Sequence, residues 1–143
     1  MKSYTYDNNL LLKDAGAVAA SAAATVLSAA KVLDLGAGEV DGDIVIDVSA
    51  MDIVGNDEKY DIVAQLSSDA AFGTAGNIVE RCEISLGAKE TKITDCDRDD
   101  VVGRYILPFD NVVNGTPYRY LRIYIVEAGA TSSINFTAFL AKK

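Results

Sequence analysis

A chain of 143 residues suits one domain, and with half its residues hydrophobic and 24% charged it is excluded from the disordered class. Its formal net charge is −8, and no basic run is longer than Lys142-Lys143. Direct nucleic-acid binding and binding to an anionic membrane both need clustered cations, so neither partner is expected.

The first 31 residues differ from the rest. Met1 to Asp7 alternates through Tyr4 and Tyr6, as an edge strand or an extended arm would. Leu10-Leu11-Leu12 is a bare apolar triplet in polar surroundings. It suits either an arm laid on a neighbouring molecule or a strand packed on its own core. Ala15 to Ala30 is a run of small residues between Asp14 and Lys31. Its alanines favour a helix that Asp14 could cap, while Gly16, Ser21, Thr25 and Ser28 suit an extended segment equally well. The run is too short and too weakly apolar to span a membrane, and Asp7 and Asp14 spoil a positive leader. Synthesis in the cytoplasm is therefore expected.

From Val32 onward strand signals repeat. Val32 to Leu35 ends at Gly36-Ala37-Gly38. Ile44, Ile46 and Val48 alternate against Val45, Asp47 and Ser49, and Tyr60, Ile62, Ala64 and Leu66 against Asp61, Val63, Gln65 and Ser67. Phe72 to Gly76 reads as a loop. Ile78 to Leu86 alternates again, Glu90 to Thr94 is a short polar strand, and Val101 to Leu107 stops at Pro108. Asn114-Gly115 and Pro117 make a turn. Tyr118 to Val126 reads as the longest strand, and Ile134, Phe136, Ala138 and Leu140 close the chain.

Eight or nine strands without an interleaved helical period exclude a parallel βαβ sheet. The expected fold is all-β: an antiparallel, eight-stranded jelly-roll sandwich over 32–143, preceded by the arm and alanine-rich segment of 1–31. In its long strand Leu121, Ile123 and Ile125 should face the core, and Tyr118, Tyr120, Arg122 and Tyr124 the outside. Such a row suits either a protein contact or a cross-strand ladder that stiffens the sheet.

Reactive chemistry finds little footing. No histidine occurs, which removes the usual proton carrier at neutral pH, the base a serine nucleophile needs, and the commonest nitrogen ligand for metals. Asp95-Cys96-Asp97-Arg98-Asp99-Asp100 opens like a calcium loop, but Asp100 stands where that loop wants glycine and Ile106 where it wants glutamate. It reads as a solvated acidic turn, as do Asp41 and Asp43. Cys82 suits a small core residue, and Cys96, between aspartates, gains no help toward a thiolate. Gly36-Ala37-Gly38 precedes a strand, so a phosphate cradle is unsupported. The expectation is a non-enzyme with no cofactor and no metal.

Three stretches together carry a likeness. Tyr6-Asp7-Asn8-Asn9-Leu10-Leu11-Leu12-Lys13-Asp14-Ala15-Gly16-Ala17-Val18 with the small-residue run and Val32-Leu33-Asp34-Leu35-Gly36 form the first. Arg104-Tyr105-Ile106-Leu107-Pro108, then Gly115 and Arg119-Tyr120-Leu121-Arg122-Ile123-Tyr124, form the second, and Ile134-Asn135-Phe136-Thr137-Ala138-Phe139-Leu140 the third. They resemble the jelly-roll capsid cement proteins of tailed bacteriophages. The resemblance implies a homotrimer on the capsid exterior of a virion that clamps neighbouring major capsid protein subunits against packaged DNA. Tyr4, Tyr6, Leu10, Leu11, Leu12, Tyr118, Tyr120 and Tyr124 are then the candidate subunit or capsid contacts. The alternative is a carbohydrate- or receptor-binding jelly-roll module of a phage tail or cell surface.

Overall fold

The structure is a computed structural model that describes residues 4–74, 76–88 and 99–143. A 3-10 turn, Asn8–Leu10, leads into short strands: β1 (Leu11–Lys13), β2 (Ala17–Val18), β3 (Ala22–Ala23), β4 (Thr25–Val26), β5 (Ala29–Ala30) and β6 (Leu33–Asp34). The longer strands follow as β7 (Asp41–Met51), β8 (Lys59–Ser67), β9 (Ile78–Gly87) and β10 (Gly103–Asp110). The small hairpin β11 (Val112–Val113) and β12 (Thr116–Pro117) precedes β13 (Tyr120–Ala128) and β14 (Ile134–Lys142). No α-helix occurs among the described residues, so the chain is all-β.

One sheet has the order β1-β14-β7-β10, with β2 also on β14, and the other has the order β3-β13-β8-β9, with β6 also on β13. Their pairings are antiparallel. The sheets enclose one core, because alternate β-branched residues put a continuous apolar stripe on one side of each strand. Ile44, Ile46, Phe136, Ala138 and Leu140 of the first sheet are fully buried, as are Tyr60, Ile62, Ala64, Leu66, Leu121, Ile123 and Ile125 of the second. Each large aliphatic side chain so buried stabilises the fold by roughly 1.5–3 kcal/mol. Leu12 and Ala24 belong to the same cluster, so residues before Val32 contribute to the common core.

The alanine-rich run is extended. Ala22-Ala23 pairs with Tyr124-Ile125, Ala24 donates its backbone N–H to Ile123, and Leu33-Asp34 resumes pairing at Tyr120-Leu121. Between them the β4–β5 hairpin leaves the sheet edge. Tertiary pairing with β13 thus overrides the helix propensity of alanine, which is worth only tenths of a kcal/mol per residue.

Several boundaries move from their sequence positions. β10 runs through Pro108 to Asp110 rather than stopping before it, because among the described residues β10 pairs only with β7 and an edge strand can spare one N–H. Among the described residues the longest strand is β7, with 11 residues, and β13 begins at Tyr120. Asn114-Gly115 does form the turn, with φ of 50° and 78°, the left-handed pair that a two-residue hairpin requires. Glu90–Thr94 and Asp95–Arg98 lie outside the described residues.

Both outer faces carry roofs. On the first sheet Val45 stands in register with Ile106 and with Phe139, which in turn is paired with Leu11. Val45 and Phe139 are buried although they face away from the core. The Tyr6 ring packs edge-on to Phe139 at 5.2 Å between centroids, while the Tyr4 hydroxyl donates to Asp43 Oδ2 at 3.2 Å. On the second sheet the loop after β8 folds back. Phe72 is buried there with φ of 51°, and Asp69 carries the loop by accepting from the backbone N–H groups of Ala71 and Gly73.

Candidate interaction surface

The contact residues expected from sequence fall into two groups on opposite faces. Tyr4, Tyr6 and Leu11 lie on the outer side of the first sheet, Tyr6 54% exposed. Leu10 packs against the core and Leu12 is fully buried within it. The triplet is therefore mostly an intramolecular strand. Lys13 seals it: its Nζ donates to the carbonyls of Asp14 (2.9 Å), Gly16 (2.8 Å) and Phe136 (3.0 Å) and lies 4.7 Å from the centre of the Phe136 ring. Burial pushes this amine below its ordinary pKa, and the Asp14 carboxylate opposes that in part.

Tyr120 and Tyr124 lie on the outer side of the second sheet, in register with Asp34 and Ala23. Tyr118 does not join them. A bend at Arg119 breaks the alternation, and Tyr118 packs against the core instead. Between Tyr120 and Tyr124 stands Arg122, whose guanidinium carbon lies 4.3 Å from the centre of the Phe72 ring and 5.4 Å from that of Tyr124. Its Nε donates to Gln65 Oε1 at 2.9 Å. Cation–π contact and the Gln65 bond hold the plane of this side chain in place.

The other described arginines are spent on carboxylates. Arg104 grips Asp47 with two bonds of 2.6 and 2.8 Å, Arg119 grips Asp34 at 2.9 and 2.8 Å, and Arg81 reaches both oxygens of Asp110. The Arg119 bond, helped by the Gly36 N–H, holds the Asp34 carboxyl down at about 2. Asp43 is also spoken for: it is buried on β7, accepts from Tyr4 and sits 3.6 Å from Lys143 Nζ, so it is no solvated turn residue.

The hairpin tip is the third feature. Leu27 and Ser28 occupy left-handed conformations, φ 52° and 65°, and Leu27 is 88% exposed. Asp14 Oδ2 accepts the Leu27 N–H at 2.7 Å and so holds the tip in place. Around it, residues 13–28 line an open cleft of about 420 Å³ whose walls are almost all small and uncharged. Lys13 is its cation, and the three donors of that amine are already used. Val54, in the turn after β7, is exposed to the same degree as Leu27.

Nothing among the described residues gathers three potential His, Cys, Asp or Glu metal ligands. Cys82 is a free thiol that burial pushes up to about 11, away from the nucleophilic thiolate. No helix of the described chain is long and apolar enough to cross a membrane.

Sequence reading missed Leu27, Phe72 and the isolation of Arg122. A lone leucine in sixteen uncharged small residues was the available signal for the first, and a lone phenylalanine three residues after Asp69 for the second. Nothing local marks Arg122, because its distinction is that the other described arginines found partners far away in sequence. No known protein-family model matches the chain, and no curated protein shows significant similarity to it.

Proposed function

We propose that this chain is a non-enzymatic capsid cement protein of a tailed phage. It sits on the capsid exterior as a homotrimer and clamps neighbouring major capsid protein subunits. The observation that carries the reading is Leu27: a bulky apolar side chain pushed almost fully into solvent, in a backbone region that costs an L-residue about 1–2 kcal/mol, and held there by Asp14. Residues held in sparsely populated backbone regions cluster at functional sites.

Two further points support the reading. Take β3 and β6 as one strand interrupted by the hairpin, and set aside β2 and the small ribbons. The first strand then pairs with the eighth, the second with the seventh, the third with the sixth and the fourth with the fifth. That is the order of a long hairpin rolled into two sheets, as in a jelly roll with an N-terminal arm. The acidic surface also suits a position outside a shell better than one lining its DNA-facing side.

The test is co-sedimentation of the purified protein with undecorated shells, together with light scattering of the free protein. Saturable shell binding and a trimeric mass support the reading. A monomer that stays in the supernatant while the shells pellet, at every concentration, overturns it, and glycan-array binding in that case favours the carbohydrate-binding alternative.

A further inference from the structure

Arg122 is the described arginine without a carboxylate. Its single protein bond goes to the neutral Gln65, and no described acceptor reaches its two Nη nitrogens. Neither nitrogen is among the buried atoms lacking a partner, so both open to solvent. The stack on Phe72 and Tyr124 strips water from the guanidinium faces, and burial lowers its pKa, which marks a partly desolvated cation. The nearest in-register carboxylate on this face, Glu80, stands two strands away beyond Gln65. No hydrogen bond or ion pair joins it to Arg122.

A planar fork with its side-chain torsions already fixed has lost its entropy before it binds, so a planar bidentate acceptor gains nearly the full interaction. The flanking Tyr120 and Tyr124 supply rigid aromatic area, and arginine with tyrosine is the composition of binding hot spots. Neither the cleft along residues 13–28 nor the shallow depression over Glu80–Glu83 is lined by Arg122, and a fixed guanidinium between two tyrosines suits a carboxylate presented on another protein surface. A polyanion such as nucleic acid is repelled by the net charge of −8, whereas a single carboxylate among neutral groups is not.

We infer that Arg122, braced by Phe72, Gln65 and Tyr124, is the anchor of a docking face that takes an aspartate or glutamate side chain of a partner protein. This rests on the reading of the chain as a protein that works by surface contact. It adds the second sheet's outer face and the chemistry of what lands there.

The probe is N-acetylglutamate methylamide, whose sole charge is a side-chain carboxylate, titrated into the full chain while the arginine Nε–Hε resonances are followed by NMR. The Arg122 resonance should move saturably and about three-fold further than those of Arg104 and Arg119, which are already paired. N-acetylglutamine methylamide should leave it still. Equal small movements of all three arginines overturn the inference, as does a response to methyl phosphate or N-acetylneuraminic acid with none to the glutamate probe.

The partner side is read separately on shells. Arg122→Gln should weaken shell binding by about 10-fold, Arg122→Lys should not restore it, and Arg119→Gln should change it little. Wild-type shell binding that survives Arg122→Gln unchanged overturns this inference and leaves the cement reading standing. A carboxylate response without shell binding does the reverse. A urea melt of each variant shows that it remains folded.

Discussion

Asp14 accepts the backbone N–H of Leu27 across thirteen residues, at 2.7 Å, and that bond fixes the position of the most conspicuous apolar side chain on the hairpin. Stability and presentation conflict there. Replacing Leu27-Ser28 by Asn-Gly, the pair best suited to two left-handed positions, should raise stability by about 1 kcal/mol and Tm by ~3 °C. The same change should weaken shell binding. Calorimetry beside co-sedimentation checks both signs, and Asp14→Ala should lower stability by about 1–2 kcal/mol through the lost charged acceptor.

The N-terminal segment should divide in two under truncation. Removing residues 1–6 takes away the Tyr4–Asp43 bond and the Tyr6–Phe139 contact but, among the described residues, no sheet pairing. Its cost should stay near 1 kcal/mol. Leu12→Ala empties a fully buried position shared by both sheets and should cost about 2–5 kcal/mol. Deleting residues 1–13 removes β1 as well and should abolish cooperative urea unfolding.

Lys13→Met keeps the volume and removes the donor. Three carbonyls then lose their partner at once, and an orphaned buried acceptor costs about 1–3 kcal/mol, so the variant should be less stable despite its greater hydrophobicity. Burial lowers the amine's pKa in the folded chain, so the unfolded chain holds its proton to higher pH. The stability of wild type relative to Lys13→Met should therefore grow as pH rises toward 10.5, in denaturant titrations run at a series of pH values.

Two groups bound the pH range from other sides. The Asp34 carboxyl should titrate near 2 rather than 3.8 by carboxyl-carbon NMR, and Arg119→Gln should return it upward. Its contribution to stability is present above 3.8 and lost as pH falls through about 2. Cys82 shifts from 9.0 to about 11, so the unfolded chain loses that proton first and stability declines as pH climbs across that interval. In a Cys96→Ser background, Cys82 should alkylate at least about tenfold slower than an open thiol at neutral pH.

The residues themselves determined the class of the fold and the inward faces of its main strands. Ile44, Ile46, Ile62, Leu66, Leu121, Ile123 and Ile125 could be read from period-two alternation, because burial of one face leaves a mark that is local and repeats every second residue. The outward faces could not be read this way. Val45, Val63 and Gln65 are buried on the outer sides, where Tyr6 returns to Phe139 and Phe72 to Arg122. Which segment roofs which sheet depends on how both sheets close, and that lies beyond any window of neighbouring residues. The same holds for the arginines: Arg104, Arg119 and Arg81 find their aspartates 57, 85 and 29 residues away, leaving Arg122 with Gln65, Phe72 and Tyr124. Alternation is a property of consecutive residues and survives in one dimension, whereas a cation's having or lacking a counterion is decided by distance in three.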